Sequence, residues 1–425
     1  SAGSLRFTAR FRSIVSGIMD AMDVSRRIYE LLVRAAGKPA PKMRSWTGEE
    51  WGSPNAAATV VLNHPGALRA MLLPPDDLSA GEAYVFDDVD IEGDVFSVIE
   101  FGARFSELKV SAIARVRLLR LLRQLPDEYR RNETARPLMR GVLHSRKRDK
   151  VAVSHHYNTG NEFFAQFLDP AMVYSCAHFL NPAESLEQAQ ARKLDLVCRK
   201  LRLGPEMRLL DVGCGWGALV IHAAREYGVK ATGVTLSREQ ATEARSRVEA
   251  AGMAGRVEIL ELDYRELEGQ FDAIASVGMV EHVGRKELTT YFSTLRKVLA
   301  PGGQILNHGI VTRDRKLRRR TPTFVNTYVF PDGELTPVDT VIAAAEDSGL
   351  ELRDAVAQRA SYAATLRHWV ANLERNREAA VAASGERIYR LWRMYMAGSA
   401  VAFERSAIGV YQLLLSDPGR VWTYG

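Results

Sequence analysis

Apolar positions repeat with different periods along the chain, and the change of period divides it. Over residues 8–36, TARFRSIVSGIMDAMDVSRRIYELLVRAA, apolar side chains recur at three- and four-residue intervals and stop before Gly37, which predicts one or two amphipathic helices. Such a face suits a core or a docking surface equally well. Between about 58 and 100 the texture becomes short β-type runs with turns, ATVVLNHP and then GEAYVFDDVDIEGDVFSVI. An arginine-rich helix, ARVRLLRLLRQL, closes this small α+β unit, and a charged segment runs on through Lys150.

From 151 onward helices alternate with short apolar strands. A helix at about 186–202 is followed by RLLDV (strand), ALVIHAAREYG (helix), KATGVTL (strand) and REQATEARSRVEAAG (helix). Then come RVEILELD and FDAIASV (strands), ELTTYFSTLRKVLAPGG (helix) and QILNHGIV (strand). This alternation predicts an α/β fold with a parallel, doubly wound sheet. Beyond 312 the pattern is largely helical, with GVYQLLLS suited to an edge strand. The expected organisation is an N-terminal accessory unit over 1–130, a linker over 131–150 and an α/β domain over 151–425.

Composition places the chain among globular proteins, with 46% hydrophobic and 25% charged residues. No apolar run approaches the roughly 18 residues that a membrane-spanning helix needs. The opening SAGSLRFTAR has no initiator Met and no signal-peptide apolar core, so it reads as an expression remnant or processed start, and a cytoplasmic chain is expected. Cys176, Cys198 and Cys214 are too few and too irregularly spaced for a disulfide framework or a zinc site, so no metal is expected. The net charge of +6 favours an anionic partner, either a lipid surface or nucleic acid. HSRKRDK (144–150) and RDRKLRRR (313–320) concentrate that charge without the interleaved aromatics that stack on bases. An Asn-Pro-Pro-Tyr target-base motif is absent as well, so nucleic acid is not the expected partner.

The stretch LLDVGCGWG (209–217) sets an acidic residue near the end of the first strand, then three glycines around a turn into a helix. Glycine allows the backbone to approach a ligand at a helix N-terminus, and G-x-G-x-G differs from the G-x-G-x-x-G of dinucleotide sites. The next strand end offers Thr235 and Gln240 for a ribose or amino-acid group, and the third offers Asp263 for an adenine amino group. Polar residues at successive strand ends fit ligand binding along the carboxyl edge of an open sheet. Together they resemble the S-adenosylmethionine site of class I methyltransferases. FDAIASVGMVEHVG (271–284) then delivers Glu281 and His282 where another buried strand ends.

Several segments narrow the resemblance. SHHYNTGNEFFAQFLDPAMVYSCAHF, LLDVGCGWG, GVTLSREQ, SVGMVEHVG, YVFPDGELTP, and YAATLRHW followed by MYMAGSAVAF are similar, in order through 151–415, to the cyclopropane fatty acid synthases and the related mycolic acid methyltransferases. GEAYVFDDVDIEGD looks like part of the accessory domain of the full-length bacterial synthases. The resemblance implies a class I, Rossmann-like S-adenosylmethionine-dependent methyltransferase domain with helical substrate-binding additions, preceded by a small α+β lipid-docking domain. It further implies a bicarbonate ion held by Cys176 of YSCA, Glu281 of EHVG, His308 and the main chain near Ile310 of NHGI, and Tyr395 of MYMAG. His282 is read as loop support. Cofactor contacts carried over are Tyr157 of HHYN, Tyr174 and Ser175 of VYSC, Gly213, Gly215, Thr235, Leu236, Gln240 and Asp263. Cys198 is read as core, and Cys214 as a filler beside the cofactor. The sequence departs from the family pattern at Asn158, His178 and NHGIV.

A double bond is a weak nucleophile and a sulfonium methyl a strong electrophile, so methyl transfer leaves a cation on the acyl chain, and ring closure then needs a base. The implied activity is cyclopropanation of cis-unsaturated phospholipid acyl chains by an enzyme peripheral to the inner face of an anionic membrane. The alternatives are a methylene-branched product, a soluble or carrier-bound acyl substrate, and a catalytically silent lipid-binding scaffold. A homodimer, in which one accessory domain holds the membrane while its partner works, is a further implication.

Overall fold

The computed structural model describes residues 20–107, 111–128, 148–149, 159–314 and 323–419. The chain separates into two compact units. The smaller falls within Ser1–Arg136, Pro322–Tyr328 and Arg390–Val401. The larger falls within Pro137–Thr321, Val329–Tyr389 and Ala402–Gly425.

The smaller unit holds a four-stranded sheet formed by β1 (Lys42–Arg44), β2 (Glu50–Trp51), β3 (Ala58–Leu62) and β4 (Val89–Gly93) in the order β2-β1-β3-β4. The helix over 20–36 buries Ala21, Val24, Ser25, Ile28, Tyr29 and Leu32, so the face that its period predicts is a core face. Residues 8–19 of that segment lie outside the described residues. GEAYV, expected as strand, is instead the end of the helix Asp77–Val85. Asp76 caps this helix by accepting from the Ser79 N–H at 2.8 Å, and burial on several sides leaves no two-residue alternation to read. Arg390 and Arg393 reach the same region: Arg390 donates to the carbonyls of Tyr84 and Val89, both at 2.7 Å, with its guanidinium 4.3 Å from the centre of the Tyr84 ring.

The larger unit is built on seven strands, β5 (Arg208–Val212), β6 (Lys230–Thr235), β7 (Val257–Glu261), β8 (Phe271–Val277), β9 (Leu299–Thr312), β10 (Glu351–Ala357) and β11 (Ile408–Ser416). Their order is β10-β11-β9-β8-β5-β6-β7. Strands β5 to β9 run parallel, as the alternation predicts, while β11 lies antiparallel to both β9 and β10. GVYQLLLS is therefore an interior strand, and the edge is β10, ELRDAVA. β10, with its charged and half-exposed residues, lies in the stretch expected to be largely helical.

Successive residues along the strands feed opposite faces. Leu209, Ala231 and Ala273 join one core with the helices Leu186–Lys200, Ala218–Tyr227 and Arg238–Ala250. Leu210, Val234 and Ile274 join another with Leu288–Val298 and Val338–Asp347. Strand order reverses at β5, between β6 and β8, so the loop after β5 opens where a doubly wound sheet binds ligands.

Candidate active site

That loop is the glycine turn. Gly213, Gly215 and Gly217 have φ of +85°, +54° and +84°, left-handed backbone that favours glycine and brings the chain into the helix beginning at Ala218. The neighbouring strand accommodates the turn through another glycine: a Cβ on Gly233 would sit 2.9 Å from Cys214 Cβ and Sγ. Cys214 thus fills space, and Cys198 is buried core, its thiol pushed up to about 12 by burial.

A cavity opens at this switch point. Tyr174, Ser175, Gly213, Gly215, Thr235, Leu236 and Gln240 of the expected cofactor set all line it. Thr235 Oγ1 donates to Gln240 Oε1 at 2.8 Å, and Ser237 caps the following helix by accepting from the Gln240 N–H. Tyr174 stacks on Trp369, ring centres 5.1 Å apart, within an aromatic cluster that includes Phe164, Phe167 and Trp216. Leu262, Tyr264 and Arg265 are on the wall beside Asp263, whose carboxylate accepts from Arg265 Nε at 2.8 Å and from its terminal nitrogen at 2.7 Å. His282 also lines the cavity, its ring centre 5.5 Å from that of Phe330. Tyr157 and Asn158 lie outside the described residues.

Sequence reading left two wall residues unassigned. Asp211 is the next-to-last residue of β5, and Lys193 projects from the helix Leu186–Lys200; both are about 3% exposed. Burial raises the Asp211 carboxyl to about 7 against the pull of Lys193, and lowers the Lys193 ammonium to about 8. Lys193 shares the buried face of its helix with Ala189, Gln190, Leu194 and Val197. A lone charge on an apolar stripe was the signal that could have found it.

The second group gathers around β9. Glu281 sits in the short helix Val280–Val283 after β8, and its Oε1 accepts from the Ile310 N–H at 2.7 Å. Gly309 makes room for this approach, since a Cβ there would lie 2.2 Å from Val280 Cγ1 and 3.5 Å from Glu281 Oε2. Burial pushes the Glu281 carboxyl up to about 7, and its Oε2 is buried with no hydrogen-bond partner. His308 pairs in register with Val277 of β8 and Gln412 of β11. Its ring is buried and its pKa falls to about 3, so it is neutral at physiological pH. Gln412 Nε2 lies 3.3 Å from His308 Nδ1; with that amide donating, the imidazole proton sits on Nε2, also buried and unpartnered.

Cys176 is tied to the region around β10. Its Sγ lies 3.2 Å from the Ala177 carbonyl and 3.8 Å from that of Gln358, while burial holds its thiol far above the usual range and excludes a thiolate nucleophile. His178 Nδ1 lies 2.8 Å from Gln358 Oε1. The structure thus joins Glu281 to Ile310, and Cys176 to the residue that follows β10. Tyr395 belongs to the smaller unit, where it meets Trp392 edge-on with ring centres 5.8 Å apart.

A mixed, parallel-rich sheet with a glycine turn and a ligand cavity at its switch point defines a Rossmann-like S-adenosylmethionine-dependent methyltransferase. Residues 144–413 match the family described as mycolic acid cyclopropane synthetase, and the chain belongs to that family. It is 38% identical over 383 residues to a probable fatty acid methyltransferase of Pseudomonas putida, covering 89% of this chain and 92% of that protein. It is 39% identical over 274 residues to the cyclopropane-fatty-acyl-phospholipid synthase of Escherichia coli, covering 64% and 70%. The cyclopropane synthase MmaA2 from Mycobacterium tuberculosis superposes with a TM-score of 0.60 at 32% identity, covering 63% of this chain and 98% of that one. The cyclopropane synthase CmaA1, solved with S-adenosylhomocysteine and CTAB, gives the same four values. The enzyme performs S-adenosylmethionine-dependent cyclopropane or methyl transfer to fatty acyl chains.

Proposed function

We propose that the substrate is a cis-unsaturated acyl chain of a phospholipid and that the product is a cyclopropane ring. The observation that carries this reading is a pair of buried, unpartnered polar atoms, Glu281 Oε2 in the short helix after β8 and His308 Nε2 within β9. Left unpaired, such groups are costly, and a small hydrogen-bonding anion is a partner suited to each. A neutral imidazole donates through Nε2, and a carboxyl near neutrality shares a proton with an anion that a bare carboxylate would repel. The residues therefore fit bicarbonate. S-adenosylmethionine supplies an electrophilic methyl carbon on a sulfonium. Bicarbonate, when bound, supplies a base for the proton lost from that carbon as the ring closes. Ile310 acts through its N–H, which fixes the Glu281 carboxyl. The surrounding buried side chains keep water from trapping the acyl cation.

Docking to an anionic lipid surface is part of the proposal. It is supported by the helix Ala112–Leu122 of the smaller unit, where Ile113 is 83% and Val116 46% exposed beside the exposed Arg115, Arg117 and Arg120. Among the described residues no helix is long and apolar enough to cross a membrane. A homodimer belongs to the same reading, and light scattering that shows a monomer at working concentration would remove it.

A second reading has its own support. The relative that aligns over 89% of the chain carries the name fatty acid methyltransferase, whereas the Escherichia coli synthase aligns over 64%. A hydride shift before proton loss converts the same cation into a methylene-branched chain. Incubation with S-adenosylmethionine and oleoyl phosphatidylglycerol vesicles, followed by mass spectrometry and proton NMR of the fatty acids, separates the two. Gain of one CH2 with cyclopropane signals is expected; vinylidene signals establish the second reading, and no gain rejects the phospholipid substrate.

A further inference from the structure

β11 carries a buried amide in an apolar run. Gln412 is followed by Leu413, Leu414 and Leu415, all buried, and is itself fully enclosed. Such a position suits an apolar side chain, since an enclosed amide is costly unless it is hydrogen-bonded. Its contact to His308 Nδ1, 3.3 Å from Gln412 Nε2, is the single hydrogen bond that this side chain makes among the described residues, because its Oε1 is buried with no partner. The two residues are register partners across β9 and β11. Lys193, Lys200 and His178 all act against protonation of His308, which keeps the ring neutral with one N–H to place.

The same strand reaches the rest of the group. Val410, two residues earlier, pairs with Ile310, and its carbonyl accepts from the Gln358 N–H at 2.9 Å. Gln358 in turn has its own carbonyl 3.8 Å from Cys176 Sγ. β11 therefore ties His308 and Ile310 to the residue beside Cys176.

In a neutral imidazole, the partner of one ring nitrogen decides which nitrogen carries the proton. We propose that Gln412 is a positioning residue: its amide N–H occupies the Nδ1 lone pair, which holds the His308 proton on Nε2 and makes that buried nitrogen a donor for a small anion. With the amide carbonyl turned to Nδ1 instead, Nε2 would present a lone pair and would repel the same anion. The inference rests on the bicarbonate reading for what Nε2 meets, and on the β9–β11 geometry for the tautomer.

The test is 15N NMR of the full chain with its histidine rings labelled, the His308 signals being assigned by their loss in His308→Phe. The wild type is expected to carry the proton on Nε2 with Nδ1 bare, and a proton on Nδ1 overturns the assignment. Gln412→Glu exchanges a donor for an acceptor, so the proton should appear on Nδ1. Turnover of that variant should fall by about a hundredfold while S-adenosylhomocysteine affinity, read by calorimetry, stays within about twofold. A bare Nδ1 in the same variant overturns the assignment as well. If Gln412→Glu does not fold, Gln412→Met decides: the Nδ1 resonance should move downfield as its hydrogen bond is lost, and an unchanged resonance overturns the proposal. Sodium bicarbonate added to the wild type in degassed buffer tests the underlying reading separately. A saturable shift at Nε2 is expected; its absence, with the tautomers as stated, rejects the anion and not the role of Gln412.

Discussion

Asp211 and Glu281 are buried carboxyls of the same unit, and burial pushes both up to about 7, but they keep different company. Asp211 lines the cofactor cavity in the field of Lys193. Among the described residues no cation acts on Glu281; the Ile310 N–H and its own main chain are its stabilising neighbours. The size of a shift therefore does not identify a role. The surroundings differ: a lysine acts on one carboxyl, and main-chain N–H groups act on the other.

The largest effect that would sharpen this contrast is on turnover. Glu281→Gln should lower product formation by roughly a thousandfold, in the range of acid–base contributions, with S-adenosylhomocysteine affinity within about twofold. Parallel loss of binding, read by calorimetry, would erase the distinction between the two carboxyls. The next effect is on stability. Glu281 titrates near 7 folded against 4.5 for the unperturbed group, so the unfolded chain releases its proton first. Wild-type stability should fall as pH rises from about 4.5 to about 7 and this loss should then level off. Glu281→Gln lacks that loss, and its advantage in urea unfolding should grow by on the order of 3 kcal/mol across the interval. A constant difference would mean that Glu281 is already ionised in the fold.

Gly309→Ala comes next, at about 2 kcal/mol from overpacking against Val280. Its turnover should fall while cofactor affinity holds, because the intrusion is on the Glu281 side. The smallest effect is Ser185→Ala, which removes the capping box of the helix that carries Lys193. About 1 kcal/mol of thermal stability should go, with S-adenosylhomocysteine affinity intact. A changed affinity would mean that the position of this helix bears on cofactor binding.

The sequence announces these two regions unequally. LLDVGCGWG is legible because three left-handed glycines have few uses, and the strands β5 to β9 are short apolar runs punctuated by turns. Glu281 is visible because it interrupts the pattern at a strand end. Lys193 hides in a helix already rich in Lys, Arg and Glu, where one buried charge differs from its solvated neighbours only by heptad position. Gln358 and Gln412 are harder still, since neutral amides carry no chemistry until a fold sets them beside Cys176 and His308. β10 escaped because an edge strand exposes one flank to water and can afford the charges Glu351, Arg353 and Asp354.

The interior place of β11 matters to a chain still being made. His308 lies in a strand whose second neighbour is translated about a hundred residues later. Until residue 416 leaves the ribosome, β9 has an open flank of unpaired backbone groups, apolar side chains and a polar centre that cannot close. Synthesis stopped short of that point should therefore yield a sticky fragment for proteolysis rather than a slower enzyme.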